Sequence, residues 1–416
     1  AVLVAIRQVE SHTQRATTLP ETLRNSPVVG TFYAGENGAT STGDSLYMRG
    51  FDSSSSIFVD GARDLGAVSR DLFNIDQVEV VKGPAGTDTG RSAPTGAINM
   101  VTRQAVPRDI NSGSVSVGDE GQRRATADWN APLGDDAALR IDAMWQDSDV
   151  AGRDRVNQSR WGIAPSIGFG LSGDTKVWLN LLHVEQDNIP DGFVPTIGLP
   201  GWLPQPGLEQ LAGHPVDPSN HYGSPLDHER VAADMATVRF EHAFENGMKL
   251  SNTLRWGRTR QDYFITSYTA TGGDATDPLA GHIRWTDIDD LSTYTLQRSN
   301  FSTRDQQNRI LTDQLNLRAD FATGRVDHFV SAGAELTREE QTAWGIATSG
   351  SLDPIDLYDP DWASTGGTLA YAHSGAVARG RTDTAAAYLF DTLKFGTHFL
   401  LTAGLRADRY DTRFDA

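Results

Sequence analysis

The sequence of 416 residues contains no cysteine, which excludes a disulfide scaffold and a thiolate metal centre. It has no run of about eighteen apolar residues, so it carries no membrane-spanning helix. Positive charge is in deficit: 36 Lys and Arg stand against 54 Asp and Glu, a formal net charge of −18. Nucleic-acid binding needs a basic footprint, and that class of partner is set aside. No basic leader precedes the opening run Ala1-Val2-Leu3-Val4-Ala5-Ile6. The ten histidines show no H-x-x-x-H or H-E-x-x-H spacing. His221 and His228 share a loop with Asp227 and Glu229, a weak metal signal that is not adopted. The run Gly86-Thr87-Asp88-Thr89-Gly90-Arg91 lacks the Walker lysine, and no nucleophile, base and orienting acid occur together. The expectation is a protein that is not an enzyme. A β-barrel membrane protein stays open, because its strands need only ~9–11 residues with one apolar face.

What is present divides near residue 108. Residues 1–108 read as a compact mixed domain. Its opening run is strand-like, and Thr18 with Glu21 three residues on forms a capping signature for a helix with Leu19 and Leu23 on its apolar side. Strands are expected over 45–51, 56–60 and 78–82, punctuated by glycines. From Ser112 the pattern becomes period two. Ala125, Ala127 and Trp129 alternate with Arg124, Thr126 and Asp128; Leu139, Ile141, Ala143 and Trp145 alternate with Arg140, Asp142 and Gln146. Tight turns at Gly134-Asp135, Gly173-Asp174, Asn246-Gly247, Thr323-Gly324 and Phe395-Gly396 alternate with longer connections near 148–158, 187–228, 264–301 and 343–377. Short turns on one side and long loops on the other are the habit of an outer-membrane barrel. About eleven strands are expected over 109–416. An odd count leaves an unpaired edge, which lipid does not tolerate, so the expectation is part of a longer barrel.

Three stretches resemble the plug of TonB-dependent siderophore receptors, most of all the catecholate type. They are Ser45-Leu46-Tyr47-Met48-Arg49-Gly50-Phe51, Ile57-Phe58-Val59-Asp60-Gly61-Ala62-Arg63-Asp64 and Ile75-Asp76-Gln77-Val78-Glu79-Val80-Val81-Lys82-Gly83-Pro84. Gly90-Arg91 and Thr95-Gly96-Ala97-Ile98-Asn99-Met100-Val101-Thr102 follow. Each piece is weak, but their order and spacing together are specific. Asp187-Asn188-Ile189-Pro190-Asp191-Gly192 resembles the start of an extracellular loop in the same receptors. The resemblance implies an all-β transmembrane barrel of 22 antiparallel strands, half of them present, occluded by a mixed α/β plug. It further implies the outer membrane of a Gram-negative bacterium, and partnership with TonB, ExbB and ExbD. The remaining expected partners are a ferric siderophore, outer-membrane lipid and lipopolysaccharide, with the receptor a monomer. Iron is expected inside the siderophore, with no intrinsic cofactor or metal site. The TonB box would lie ahead of the first strand. Alternatives are TonB-dependent uptake of cobalamin, haem or a glycan, and, in another class, a secreted β-rich enzyme or adhesin.

Site residues follow from the same resemblance. Arg49 and Arg91 match plug arginines that pair with barrel glutamates, against the plainer reading of solvated arginines. Gly50, Gly61, Glu79, Lys82, Gly83, Pro84, Gly90 and Gly96 are expected to shape the plug. Phe32, Tyr33 and Ala34 resemble a ligand-facing plug loop, and Arg63 and Arg70 flank another, where they would oppose an anionic chelate. Trp202, His221, Tyr222 and Trp285 are candidate loop contacts, weighed against plain loop packing.

Overall fold

The computed structural model describes residues 2–7, 16–23, 26, 29–30, 44, 46–83, 95–119, 121–268, 282–364 and 366–416. Phe32, Tyr33, Ala34, Pro84, Gly90 and Arg91 lie outside the described residues.

The N-terminal part contains β1 (Val2–Arg7), helix α1 (Leu19–Leu23), β2 (Val29–Gly30), β3 (Tyr47–Met48), β4 (Phe51–Asp52), β5 (Ile57–Val59), β6 (Ala62–Arg63), β7 (Ile75–Lys82) and β8 (Gly96–Thr102). Five strands form one sheet in the order β1-β7-β8-β5-β6. Glu21 reaches back as the capping signature requires, accepting from the Thr17 and Thr18 N–H groups at 2.7 and 3.2 Å. The helix buries Leu19 and Leu23 against Met48, Ile57, Val80 and Ile98. The expected strand over 45–51 is in fact two short strands. Arg49 (φ 53) and Gly50 (φ 83) turn β3 back into β4, and Asp60 (φ 49) and Gly61 (φ 79) do the same between β5 and β6. Consecutive positive φ values make the two-residue hairpin turn whose twist suits its strands.

The remainder is one antiparallel sheet of eleven strands. These are β9 (Ile110–Val117), β10 (Arg123–Pro132), β11 (Ala137–Asp149), β12 (Asn157–Phe169), β13 (Thr175–Asn188), β14 (His228–Ala243) and β15 (Lys249–Ser267). Between β15 and the next long strand sit the short β16 (Ile283–Arg284) and β17 (Thr295–Leu296). Then come β18 (Asn300–Thr323), β19 (Val326–Ser349), the short β20 (Ile355–Asp356), β21 (Ala370–Phe395) and β22 (Phe399–Asp415). Each long strand pairs with its sequence neighbours in the large sheet, with β9 and β22 at its edges. The expected strand count is met. Strands β19 and β21 run well past their expected outer ends, shortening the connection between them to 350–369.

Burial along this sheet is inverted relative to a soluble protein. Arg124 and Asp142 are 8% and 1% exposed, whereas Trp145 and Leu389 are 46% and 56% exposed. The polar face is covered by the plug, and the apolar face looks outward. Trp145 and Trp161 face each other across β11 and β12, and Phe169, Phe321 and Phe399 lie near the short turns. Such aromatics mark the two interfaces of a bilayer. Two outward carboxylates interrupt the band, and each is held: Asp313 by Asn252 at 2.6 Å and Asp391 by His328 at 2.7 Å.

The long connections form a crown with its own core. Ile197, Leu211 and Tyr222 from 189–227 pack with Trp285, Tyr294 and Leu296 from 268–299 and with Ile355 and Leu357 from 350–369. The small sheet β16-β17-β20 joins the second and third of these. Arg298, fully buried, donates to the carbonyls of Gly223 at 2.9 Å, Asp353 at 3.1 Å and Ser364 at 3.1 Å. One guanidinium from the second loop thereby satisfies carbonyls of the other two, as its rigid fork of donors allows.

Candidate functional site

The chemistry of this chain is concentrated where the plug meets the polar face of the sheet. At the centre is Asp71, whose carboxylate has no solvent exposure. Arg124 of β10 grips it with two hydrogen bonds, Nη1 to Oδ2 at 2.8 Å and Nη2 to Oδ1 at 2.7 Å. Arg160 of β12 adds an ion pair at 3.0 Å. The Gln146 amide oxygen accepts from both arginines at 2.9 Å, which fixes their separation. Period two explains the assembly: Arg124, Gln146 and Arg160 sit on three adjacent strands at inward positions.

A second cluster has the opposite polarity. Plug Arg103 pairs with Asp142 at 2.7 Å and Asp128 at 3.4 Å, and Arg140 closes on Asp128 at 2.7 and 2.9 Å. Neutral bonds continue the seam. Arg255 donates to the Val59 carbonyl at 2.7 Å, and the Trp178 indole to that of Ala105 at 3.0 Å. Gln186 both donates to Ser69 O at 2.7 Å and accepts from Ser69 N–H at 3.3 Å. Apolar patches lie between these bonds, where plug Phe73 meets Met144, Ala164 and Val184 and plug Val68 meets Val231 and Ala233; the polar part of the seam can separate by exchanging hydrogen bonds with water.

Several expected site residues have other work here. Arg63 donates to Glu339 of β19 at 2.9 Å and to the Ser55 carbonyl at 3.0 Å, so it braces the plug against the sheet. Arg70, expected beside a ligand, is buried and holds Asp64 at 2.6 Å and Asp44 at 3.2 Å. Burial pushes the Asp44 carboxyl up to about 6, even beside this guanidinium. Arg49 is exposed at its hairpin tip and has no ion pair among the described residues. Glu79 accepts from Gln77 at 2.7 Å and from the Asn99 side-chain amide at 2.8 Å, and the Asn99 Oδ1 in turn accepts from the Gly61 N–H at 2.9 Å. Lys82 ends β7, and the N–H of Gly83 donates to Thr95 O at 3.0 Å. At Gly96 (φ +141) a Cβ would lie 2.1 Å from the Val81 carbonyl oxygen, so only glycine fits.

The loop candidates divide as well. Tyr222 and Trp285 belong to the crown's core: the Tyr222 hydroxyl donates to Leu357 O at 2.7 Å, and Trp285 stacks on Tyr294. Trp202 packs on the edge of that core. His221 alone borders an open pocket, beside Arg153, Arg155 and Trp362. Burial lowers its pKa to about 4, with Arg153 adding to the shift, so the ring is neutral near pH 7. Alternation had already marked Arg124, Asp128, Arg140 and Asp142 as polar-face residues, but not what covers them. For Asp71, Arg103, Arg160 and Arg298 the sequence carried no comparable signal.

Comparison with known proteins fits this architecture. The family described as the TonB-dependent Receptor Plug Domain matches residues 2–97, and the TonB dependent receptor-like β-barrel matches residues 188–416. The catecholate siderophore receptor Fiu of Escherichia coli K12 is 45% identical over 97% of this chain and 52% of its own length. The probable TonB-dependent receptor BfrD of Bordetella pertussis is 32% identical over 96% of this chain and 52% of its own length. The closed-form crystal structure of Fiu superposes with a TM-score of 0.91 at 44% identity, covering 100% of this chain and 57% of that one. The siderophore receptor PiuA of Acinetobacter baumannii gives 0.82 at 25% identity, covering 99% and 58%. The chain spans about half the length of the curated relatives it matches. With an inverted antiparallel wall and a plug pinned to its polar face, this chain belongs to the TonB-dependent receptors of the outer membrane.

Proposed function

We infer that the complete receptor binds a ferric siderophore of catecholate type at its outer face and imports it with work transmitted by TonB, itself driven through ExbB and ExbD. The observation that carries this reading is 45% identity, over 97% of the chain, to a receptor named for catecholate siderophores. The seam supports it physically, since the charged and neutral hydrogen bonds that hold the plug can be exchanged with water, leaving only small apolar patches such as that around Phe73 to part. The crown supports it too, because three loops tied into one body offer a preorganised rim to a large solute. Phe32, Tyr33, Ala34, Trp202 and His221 are kept as proposed ligand contacts. Arg49 and Arg91 are kept as proposed latches. Arg63 and Arg70 are assigned to holding the plug instead.

The test is a binding panel on the full-length receptor: a ferric tris-catecholate, a ferric hydroxamate and cobalamin. Tight binding of the catecholate alone, with TonB-dependent iron uptake in cells, is the expected result. Preference for cobalamin or a neutral hydroxamate would overturn the reading.

A further inference from the structure

The outer ends of β19 and β21 do not continue the plane of the wall. Gly345 of β19 stands against three residues of β21, Ser374, Gly375 and Ala376, with Gly375 at φ 87. A bulge of that kind bends its strand. Beyond it the paired tips 346–349 and 370–373 cross back over the wall. Tyr371 lies 4.7 Å, ring to ring, from Phe264 of β15. The two residues are three strands apart, and flat sheet spacing would hold their backbones about 14 Å from each other. His373 reaches Asp305 of β18 at 2.7 Å and stacks on Trp344. Phe264 and His228, paired across β15 and β14, are consequently only 1% and 8% exposed. The tips form a strap, and it leads directly into the third crown loop, 350–369.

Under the strap one imidazole is incompletely bonded. His228 Nδ1 lies 2.7 Å from the Leu226 carbonyl, which can only accept, so Nδ1 carries the proton. Nε2 is buried, has no hydrogen bond among the described residues and lies 3.3 Å from Asp262 Oδ1. A neutral ring presents a lone pair to that carboxylate, and only the imidazolium satisfies both sides. Asp262 in turn stands directly opposite Asp305, the carboxylate that His373 holds, and like charges so placed repel. Two cations share this face: Arg230, opposite Asp262 but paired with Asp187 at 3.4 Å, and Arg260, which borders the same hollow. The chain neighbours of His228 turn elsewhere, Asp227 to Ser224 and Thr266, and Glu229 to Asn188. We propose that His228, Asp262, Asp305 and His373 form an acid-strengthened clasp that fastens the strap, and with it the third crown loop, to the rim of the wall. Protonation of His228 sets a cation beside Asp262, lowers the repulsion between Asp262 and Asp305, and places positive charge against the Tyr371 ring. Loss of that proton removes all three effects together.

Hydrogen exchange on the full-length receptor in detergent tests the clasp, read as protection factors at about pH 6 and about pH 8, the range in which imidazoles change charge. The wild type should protect 346–349 and 370–373 about threefold more at the lower pH, the scale of a partly exposed ion pair. His228→Phe keeps a ring under Tyr371 without the charge, so it should leave the strap folded and erase the difference. Asp262→Asn removes the carboxylate instead; it should also shrink the difference, and it decides the matter if the Phe variant misfolds. His221 stays in every variant, and its own effect is read at 216–227, away from the strap. Equal protection of the wild-type strap at both pH values would overturn the proposal. So would a wild-type difference that persists in His228→Phe or in Asp262→Asn.

Discussion

Replacing Asp71 with Asn removes one negative charge from the seam while keeping the side chain's shape. Three interactions then change together: the two hydrogen bonds from Arg124 at 2.8 and 2.7 Å and the ion pair with Arg160 at 3.0 Å. Each hydrogen bond to a charged group is worth ~1.5–3 kcal/mol, but desolvation of the ions offsets much of the sum. The larger effect is what remains: two buried guanidiniums, Arg124 at 8% and Arg160 at 5% exposed, with no carboxylate and only neutral partners, the shared Gln146 amide and, for Arg160, the Thr17 hydroxyl at 3.1 Å. Breaking a buried pair in this way costs about 3–5 kcal/mol. Plug and wall should therefore lose that much coupling, read by hydrogen exchange in residues 64–82 of the full-length receptor and by the plug's melting transition. Asp71→Asn combined with Arg124→Met should recover part of the loss, because one stranded charge goes with its partner. If Asp71→Asn shifted plug stability by less than about 1 kcal/mol, the seam would not be an ionic clamp and the buried-pair argument would fail here.

Replacing Arg298 with Ala strands three carbonyls on the two other loops, and at about 1–3 kcal/mol for each unsatisfied buried group it should loosen the whole crown. Hydrogen exchange should rise together over 216–227, 282–298 and 352–364; acceleration in one loop alone would refute a shared body. Gly96→Ala drives a Cβ against the Val81 carbonyl at 2.1 Å and should destabilise the plug by several kcal/mol, whereas Gly50→Ala, with open space around it, should cost only its positive-φ strain of about 1 kcal/mol. His221 titrates near 6.5 unfolded and about 4 folded. The unfolded chain thus binds its proton first, and crown stability falls as pH drops from 6.5 through 4, by on the order of 3 kcal/mol from this group. Asp227, raised to about 6 by burial, acts in the opposite sense, so the comparison is wild type against His221→Gln. The variant should lose the acid-side decline in exchange protection of 216–227; an unchanged profile would remove His221 as its source.

The strands were legible because the barrel's two faces differ along every strand. Leu139, Ile141 and Trp145 against Arg140, Asp142 and Gln146 is a pattern that only one orientation of the sheet satisfies. The turns were legible for a related reason: Asn246-Gly247 and Thr323-Gly324 supply the positive φ that a tight reversal needs, at glycines 247 and 324. Plug motifs such as Asp60-Gly61 could be placed from local chemistry alone. Partners distant in sequence could not. Asp71 meets Arg124 and Arg160, and Arg63 meets Glu339, only after the plug has entered the curve of the sheet. Arg63 and Arg70 look the same in sequence as cations awaiting a ligand, since a charge carries no mark of the carboxylate that will neutralise it. Tyr222 and Trp285 read as rim aromatics because crown packing has no periodicity. The sequence by itself determined which face of the wall turns to lipid and where the chain reverses, since both follow from residues a few positions apart. Only the tertiary structure decided which charges hold the plug and which loops move as one, since those depend on contacts between segments far apart in the chain.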